Sequence, residues 1–366
     1  MTKIFVVLAF SVFVFCVAGC EETYENTGNT GVVEPTEPTE PTEPTEPTEP
    51  TEPTVDPTEP TDPTDPTEST EPTVEPTEPT EPEDPCLAAD AEKINSVVIG
   101  TYNTHLFFDK NCDSGYCESS DFEQKLSDSE YKNKVADLAD SVKEIGADII
   151  LLQEVEKESC LKDLFEKTGA YDEFFLGEKG TPSSVDTGVM TKGEITYKNK
   201  HIEQIDCAGC DGGKTTFSRA FLETHIKLGC RKIIVFSAHF KSKADDDATR
   251  RLAEAAAAAK ILKNTAEKYP DALIVMGGDL NDQPGSDTLE FFENEPAFLR
   301  VASELSTKDQ ATYSYRGDAI AIDHIFQVKS SLGSYKTGSA EVVKDAPSWY
   351  SLGSSDHAAL KATFEF

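Results

Sequence analysis

Two short polar side chains, Asp279 and Asn281, follow an apolar run of β-forming residues at 272–276. In an extended backbone their spacing, i and i+2, places both side chains on one face of the strand. The preceding Gly277 and Gly278 carry no side chain that would keep a ligand away from the main chain. A carboxylate and an amide in this position are suited to binding a metal ion or a phosphate, although Gly-Gly-Asp also occurs in ordinary turns.

Five further apolar runs end in a similar way. Each carries an amide, a carboxylate or an imidazole at or near one end: Asn103, Glu154, His239, Asp323 with His324, and Asp356 with His357. One polar residue at a strand end is usually a cap or a hydrogen-bonded group of the core. Six such ends in one chain indicate a shared polar site.

The residue types at these ends suit a metal-dependent hydrolase. Glu154 and Asn103 offer hard oxygen ligands for Mg²⁺, which keeps several waters and needs few carboxylates. Asp279 and Asn281 would align and deprotonate an attacking water. The imidazoles would protonate a leaving oxygen or bind the oxygens of a phosphorane-like transition state, and a carboxylate would hold one imidazole in the required tautomer. These last roles fall on His239, His357 and Asp323.

The segments between these ends predict the elements that would position them. Runs rich in β-branched and aromatic residues predict strands. These runs are 96–102, 148–152, 188–190, 221–226, 232–238, 272–276, 319–326 and 360–366. Helices are predicted over 129–145 and 248–268, the second with an alanine-rich centre. Strands with a few interspersed helices predict packed sheets with helices on the outside.

The ordered series of strand ends resembles the endonuclease/exonuclease/phosphatase superfamily. The matching segments are Tyr102-Asn103, Gln153-Glu154, Ser237-Ala238-His239, Gly278-Asp279-Leu280-Asn281, Ile322-Asp323-His324 and Ser355-Asp356-His357. The resemblance spans nearly all of residues 95–366. It implies an α/β fold, a four-layer αββα sandwich of two mostly antiparallel sheets of the deoxyribonuclease I type.

The same resemblance implies a role for each residue of the site. Glu154 and Asn103 would bind the metal, Mg²⁺ or Mn²⁺, and Asp356 would lie beside it. Asp279 and Asn281 would position the attacking water. The remaining catalytic positions are His239 as the acid and His357 paired with Asp323.

Residues 207–219 are similar to a small disulfide loop of deoxyribonuclease I and the Phe-Ser-Arg that follows it. This likeness implies that Arg219 contacts a substrate phosphate and that Asp206 and Asp211 bind a structural Ca²⁺. The alternative is a disulfide staple on a surface hairpin with a solvated Arg219. One departure is Glu156, which stands near a position where deoxyribonuclease I has arginine; a carboxylate there is expected to repel a nucleic-acid backbone.

The first 20 residues predict a targeting segment. Lys3 precedes an apolar run at 4–17, and the following Ala-Gly-Cys resembles the lipobox of bacterial lipoproteins. This implies a lipid on Cys20 that anchors the mature chain in a membrane; a plain signal peptide with an incidental cysteine is the alternative. Glu21 favours an outer-membrane or cell-surface address in the cell envelope, if the host is Gram-negative.

Residues 21–85 predict a disordered stalk between the signal peptide, 1–20, and a catalytic domain, 86–366. Sixteen of the 21 prolines lie in a Pro-Thr-Glu repeat at 34–85. This repeat has too few apolar residues to form a core, and its regular prolines favour an extended polyproline II conformation. Its predicted function is spacing.

Cysteine usage indicates disulfide bonds, because an exported chain matures in an oxidising compartment. Of the nine cysteines, seven follow the targeting segment, and an odd number leaves at least one free or paired between chains. The close pairs Cys112 with Cys117 and Cys207 with Cys210 are the predicted disulfides. A zinc site at Cys207 and Cys210 is the alternative, and it would need two further ligands.

The formal net charge of −35 is concentrated in the stalk, and no basic stripe typical of a nucleic-acid scaffold is evident. An acidic enzyme can still act on an anionic substrate when a bound cation supplies positive charge. The sequence therefore predicts a secreted, membrane-anchored, metal-dependent phosphodiester hydrolase, a nuclease for extracellular or periplasmic DNA or RNA, with no protein partner inferred. The alternatives are a sphingomyelinase-like enzyme or phosphomonoesterase of the same superfamily, and a non-catalytic surface-binding module.

Overall fold

Seventeen strands and four α-helices form the part of the chain described by this computed structural model, namely Cys86 and residues 92–180, 184–244 and 246–366. The predicted signal peptide, the lipid attachment at Cys20 and the stalk lie outside the described residues. Across the described ranges, no helix is both long and apolar enough to span a bilayer.

The strands alternate with helices along the chain. In chain order the strands are β1 Ser96–Phe107, β2 Ile149–Val155, β3 Glu173–Leu176, β4 Asp186–Thr191, β5 Glu194–His201, β6 Gln204–Asp206, β7 Lys214–Thr216, β8 Phe221–Leu228, β9 Arg231–His239, β10 Ala272–Asp279, β11 Phe298–Arg300, β12 Tyr313–Tyr315, β13 Asp318–Ile320, β14 Asp323–Val328, β15 Ser334–Tyr335, β16 Glu341–Val343 and β17 Ala359–Glu365. The helices are α1 Asp128–Ile145, α2 Glu158–Thr168, α3 Ala248–Lys268 and α4 Asp287–Glu293.

Two large sheets organise these strands. The first has the order β15-β17-β1-β2-β4-β3, with β16 also paired to β17, and the second has the order β11-β14-β10-β9-β8-β5. Each sheet contains one parallel pair, β1 with β2 and β9 with β10, and its other pairs are antiparallel. Two short hairpins, β6–β7 and β12–β13, lie outside both sheets.

Alternation of side chains along a strand produces the layers. On β10, Ile274 and Met276 belong to the core beneath α3 and α4, whereas Leu273 and Val275 belong to the core between the two sheets. A third core lies between the first sheet and the helices α1 and α2. Three cores separate four layers, so the predicted αββα sandwich is confirmed.

Both predicted helices are present, as α1 and α3. The Ser127 side chain and Glu130 form a capping box at the start of α1, and Gly146 ends the helix with a φ of 67°. The predicted strand 319–326 divides into β13 and β14. The sequence analysis missed α2, α4 and most of the short strands.

Three disulfide bonds link the described cysteines. Cys112–Cys117 and Cys207–Cys210 were predicted, and the third, Cys86–Cys230, was not. The third bond closes a segment with a sequence separation of 144, so it restricts the unfolded chain the most. Cys160 is the free, buried thiol that the odd count required.

Candidate active site

Strand ends from both sheets converge on a cavity of about 620 Å³. Seven residues predicted for the site line it: Glu154, Arg219, His239, Asp279, Asn281, Asp356 and His357. Two more, Asn103 and Asp323, are buried and hydrogen-bond to lining residues. The structure therefore gathers all the predicted catalytic and active-site metal residues in one place.

A carboxylate cluster lies at the ends of β2 and β10. Ligand atoms of Glu154, His239 and Asp279 lie within 4.8 Å of one another. The Asn103 amide nitrogen donates to Glu154 Oε1 and Asp279 Oδ2, both at 3.1 Å, and its amide oxygen accepts from the His105 N–H at 2.9 Å. In this arrangement Asn103 positions the two carboxylates, and its role as a metal ligand stays a prediction.

Strained backbone holds this cluster. Four nearby residues adopt left-handed conformations without being glycine: His105 with φ 52°, Leu106 with φ 46°, Glu154 with φ 63° and Asn281 with φ 53°. Such conformations each cost on the order of 1 kcal/mol and concentrate at functional sites. One hydrogen bond at the site depends on these conformations: the Leu106 N–H donates to Glu154 Oε2 at 2.8 Å. No local sequence signal predicted these conformations.

The two glycines before Asp279 have a different function from the one expected. A Cβ atom at Gly278 would lie 1.9 Å from the backbone oxygen of Ala238 in the neighbouring strand β9. A Cβ atom at Gly277 would lie 3.0 Å from Leu151 Cδ1 in the opposite sheet. The proposed ligand access is therefore wrong: these glycines allow the close packing of strands and sheets.

Burial sets the charge of the central acid and base. Burial, and then the nearby charge of Asp323, raise the pKa of Asp279 to about 7. Burial, together with the charges of Arg219 and His357, lowers the pKa of His239 well below its usual value. His239 Nδ1 is buried without a hydrogen-bond partner, and Nε2 lies 3.7 Å from Asp279 Oδ2. These surroundings favour the neutral form of the His239 imidazole.

The pair of Asp323 and His357 has the opposite property. His357 Nδ1 lies 2.8 Å from Asp323 Oδ2, and His357 Nε2 lies 3.9 Å from Asp279 Oδ2. Burial alone would lower the pKa of His357, but the charge and the hydrogen bond of Asp323 outweigh it and raise that pKa to about 10. The Asp323 carboxylate thus favours the protonated form of an imidazole that lies beside the carboxylate cluster.

Asp356 and Arg219 lie at the sides of the cavity. Asp356 Oδ1 lies 2.9 Å from His105 Nδ1, and both side chains are about half exposed. Its role beside the metal stays a prediction. Arg219 lines the cavity, which is compatible with the predicted phosphate contact and places it among the other site residues.

The two residues predicted to bind Ca²⁺, Asp206 and Asp211, lie on either side of the Cys207–Cys210 disulfide. Asp206 is exposed and pairs with Lys214, and Asp211 is exposed in a short 3-10 turn. Within the ranges that the structure covers, neither belongs to a cluster of three metal-ligating side chains. The calcium assignment at Asp206 and Asp211 stays a prediction that this geometry does not support.

Glu156 corrects another expectation. Its side chain is buried, and its Oε2 accepts a hydrogen bond from the Asp109 N–H at 2.7 Å. It is not among the residues that line the cavity. The predicted repulsion of a nucleic-acid backbone by Glu156 is therefore wrong, because the carboxylate faces a different loop.

Comparison with known proteins identifies the family of this chain. A sequence model of the endonuclease/exonuclease/phosphatase family matches residues 98–349. The chain belongs to the endonuclease/exonuclease/phosphatase family. Enzymes of this family hydrolyse phosphate esters with divalent metal ions. A search of curated protein sequences finds no match.

Solved structures show the same fold at low sequence identity. TDP2 from Caenorhabditis elegans superposes with a TM-score of 0.52 at 17% identity, covering 74% of each chain. An endonuclease/exonuclease/phosphatase from Bacteroides vulgatus superposes with a TM-score of 0.52 at 17% identity, covering 75% of this chain and 100% of that one. A family protein from Bacteroides thetaiotaomicron gives 0.51 at 15%, covering 74% and 98%.

The donor set fits the divalent metal that the endonuclease/exonuclease/phosphatase family uses. Glu154 and Asp279 present carboxylate oxygens, the ligands that Mg²⁺ and Mn²⁺ prefer. The Asn103 amide and the Leu106 and Asn281 N–H groups hold these carboxylates in place. The two carboxylates are thus pre-positioned around a common point.

Glu254, which the sequence analysis did not identify, supports the candidate active site from the side of α3. This fully buried carboxylate on α3 accepts from the Ser218 N–H at 2.5 Å and the Lys241 N–H at 2.6 Å. It thereby fixes the residues next to Arg219 and close to His239. The sequence carried one signal for this role: a charged residue stands within the alanine-rich segment of a helix that was expected to pack on a sheet.

Lys134 is a second missed residue of the same kind. Its ammonium donates to the backbone oxygens of His105 and Ser354, both at 2.8 Å. These two carbonyls belong to the segments that carry Asn103 and Asp356. Lys134 therefore ties two walls of the site to α1.

Proposed function

We propose that this protein is a secreted phosphodiester hydrolase that uses Mg²⁺ or Mn²⁺ to cleave DNA or RNA. The observation that carries the proposal is the geometry at the cavity floor. There, Glu154 and Asp279 face a histidine, His357, that Asp323 keeps protonated. This combination brings negative charge for a metal and positive charge for a phosphate into one space.

Each group of the cluster then has a defined task. Glu154 and Asp279 would hold the metal, which when bound supplies positive charge to the phosphate oxygens. Asp279 and Asn281 would orient the attacking water, and the Asp279 carboxylate would accept its proton. The Asn281 N–H, which donates to Asp279 Oδ1 at 2.8 Å, keeps that carboxylate in position.

The two imidazoles would divide the work differently from the assignment suggested by family resemblance. A general acid must carry a proton at the working pH, and burial lowers the pKa of His239. His357 carries the proton instead, because Asp323 stabilises the imidazolium. In this proposal His357 donates to the phosphate or the leaving oxygen, and the neutral His239 contributes a hydrogen bond.

The cavity rim supports a nucleic-acid substrate. Arg219 and Lys243 line the cavity and would pair with backbone phosphates. Phe122, Tyr313 and Tyr315 also line it, and aromatic faces bind unpaired bases by stacking. These features support single-stranded DNA or RNA more than an intact duplex.

One observation favours a second substrate class, the phospholipids. Tyr315 at the turn of the β12–β13 hairpin is 52% exposed, and Phe122 is 56% exposed. Exposed aromatic side chains beside a cavity also suit a membrane surface, where their rings sit at the head-group level. A sphingomyelinase-like activity is therefore the alternative.

Substrate assays test both possibilities. The purified chain is incubated with single-stranded DNA, plasmid, RNA, sphingomyelin vesicles and a phosphomonoester, with Mg²⁺, Mn²⁺ or a chelator. We expect metal-dependent cleavage of the single-stranded nucleic acids, reduced by a factor of about 10³ in Asp279→Asn. Asp271→Asn, an exposed change at the other end of β10, is the matched control. If wild type cleaves no substrate faster than Asp279→Asn does, the proposal is wrong, and the absence of any cleavage would favour a binding module.

The membrane address needs its own test. We propose that the mature chain is a lipoprotein of the cell envelope, an outer-membrane or surface protein, linked through Cys20 and carried on the stalk. In the native host, the wild type is expected in the membrane fraction with incorporated radiolabelled palmitate. Cys20→Ser should lose the label; a Cys20→Ser protein that keeps it would contradict the lipid attachment.

A further inference from the structure

A second group of carboxylates lies outside the candidate active site, in the loop between β1 and α1. We propose that this acidic loop, residues 109–123, binds Ca²⁺ together with Glu156. Its carboxylates come from Asp109, Asp113 and Glu123, and the Cys112–Cys117 disulfide closes part of it. None of the four carboxylates, including Glu156, lines the cavity.

The carboxylates are close together; two of them are buried and the third, Asp113, is exposed. Oxygen atoms of Asp113, Glu123 and Glu156 lie within 4.8 Å of one another. Glu123 is 1% exposed and Glu156 is 4% exposed. Carboxylates held this close repel one another, and a proton or a bound cation relieves that repulsion.

One carboxylate of the cluster is only half satisfied by hydrogen bonds. Glu156 Oε1 is buried and has no hydrogen-bond partner, whereas Oε2 of the same carboxylate accepts from the Asp109 N–H. A buried oxygen without a partner is rare and costly, most of all on an ionised group. This oxygen is thus available to a cation at the acidic loop.

Lys157 neutralises only part of the cluster. Its ammonium lies 3.0 Å from Asp109 Oδ2 and also contacts Asp113 Oδ2. It lies 3.8 Å from Glu156 Oε1, which is beyond hydrogen-bond distance. One ammonium thus faces the carboxylates of the acidic loop and Glu156, and a negative excess is left.

The donor chemistry selects Ca²⁺. All the candidate ligand atoms are oxygens, and several are carboxylates on an irregular loop. Ca²⁺ accepts six to eight oxygen ligands in flexible geometry, whereas Mg²⁺ requires a regular octahedron and retains its waters. Transition metals would favour imidazole or thiolate ligands, and both cysteines of the acidic loop are oxidised.

The position of the loop gives the ion a structural role. Phe122 precedes Glu123, lines the cavity and makes an edge-to-face contact with Phe108 at 5.6 Å between ring centroids. The Glu123 carboxylate already accepts from the Asp113 and Ser114 N–H groups. An ion bound to Glu123 would hold Phe122 at the cavity rim.

Calorimetric titration of Ca²⁺ tests the site separately from the active site. The chain carries Glu154→Gln with its three disulfides intact, so that the catalytic carboxylate cluster is weakened. We expect one Ca²⁺ per chain in this background. Adding Asp113→Asn should weaken binding about tenfold or more, because charge count sets affinity in such sites. Glu118→Gln, an exposed change in the same loop, should leave the affinity unchanged.

Two results would overturn the proposal. One is the absence of Ca²⁺ binding in the Glu154→Gln chain, and the other is equal affinity in Asp113→Asn and Glu118→Gln. Lys157→Gln provides a second variant that separates an ion site from a simple ion pair. We expect its melting temperature to fall in chelator and to recover with Ca²⁺; a loss that Ca²⁺ does not restore would show that Lys157 alone neutralises the cluster.

Discussion

Two buried groups of histidine and carboxylate use the same chemistry in different surroundings. In one, Asp323 pairs with His357, and in the other, Glu223 pairs with both His201 and His225. The distances from ring nitrogen to carboxylate oxygen lie between 2.6 and 2.8 Å in both groups. Composition and hydrogen bonding alone therefore do not separate a catalytic group from a structural one.

The two groups differ in what surrounds their imidazole rings. The second nitrogen of His357 faces the cavity and lies 3.9 Å from Asp279 Oδ2. The His357 ring packs against Tyr313, which also lines the cavity. The rings of His201 and His225 pack against aromatic side chains that do not line it: Tyr197, Phe221, Phe236 and Tyr269. Access of a ring nitrogen to the cavity, rather than a charged partner, distinguishes the candidate catalytic histidine.

The strongest test of this comparison is the loss of the Asp323 carboxylate. Asp323→Asn should lower kcat by a factor of about 10²–10⁴ with little change in KM, because the imidazole loses its charge and orientation. Steady-state kinetics on the substrate identified above measure the effect. Glu223→Gln is the matched control and should keep kcat within about twofold. Equal losses in the two variants would remove the distinction.

Glu223→Gln, which is expected to leave activity intact, should lower the stability of the fold at neutral pH. Glu223→Gln removes the charged partner of two imidazoles within the second sheet and should cost roughly 2–3 kcal/mol of unfolding free energy at pH 7. Urea unfolding at fixed temperature measures it. An unchanged midpoint would show that the Glu223 group contributes nothing to the fold.

The pH dependence of that difference follows from the shifted pKa of Glu223. Burial alone would raise this pKa, but hydrogen bonds from His201 and His225 outweigh it and lower the pKa from 4.5 to about 2. A carboxylate whose pKa is lower in the folded state stabilises the fold at pH values above its unfolded pKa. This stabilisation is lost as the pH falls through the folded pKa. The difference between wild type and Glu223→Gln should be full at pH 6 and narrow between pH 4.5 and 2. Unfolding curves across this range check it; a gap that widens as the pH falls would contradict it.

The smallest effect is expected at a third pair, His105 with Asp356. The His105 side chain is 44% exposed and the Asp356 side chain 43% exposed. Solvent-exposed ion pairs contribute about 0–1 kcal/mol to the free energy of unfolding. His105→Gln should therefore change the unfolding free energy by less than about 0.5 kcal/mol. Thermal unfolding at low and high salt measures this change. A loss as large as that of Glu223→Gln would show that exposure does not rank these pairs.

Much of the fold followed from local patterns. The alternating and continuous apolar runs predicted the central strands, and the alanine-rich segment predicted α3, whose bounds Ala248–Lys268 match the predicted 248–268. Helix α2 was missed although Cys160, Leu161 and Leu164 form a buried face at helical spacing. Its 11 residues are short, so the pattern was weak.

The candidate site was predictable in its members and not in their geometry. Strand ends are recognisable locally, so Asp279, Asn103 and Glu154 were named from the sequence. The hydrogen bond between Asn103 and Asp279 joins residues 176 positions apart, and the left-handed conformation of Glu154 has no local signature. The direction of Glu156 was wrong for the same reason, because the loop that it faces is distant in the chain.

The sequence by itself determined the residue types, their order along the chain and the periodicity that buries each strand, because these depend on neighbouring residues. That information was sufficient for the family and the layered sandwich. Only the tertiary structure decided which of the histidines faces the cavity, which glycines serve strand packing, and which carboxylates gather in the acidic loop. These properties depend on side chains that strand order brings within a few ångströms of one another, and no local pattern records those distances.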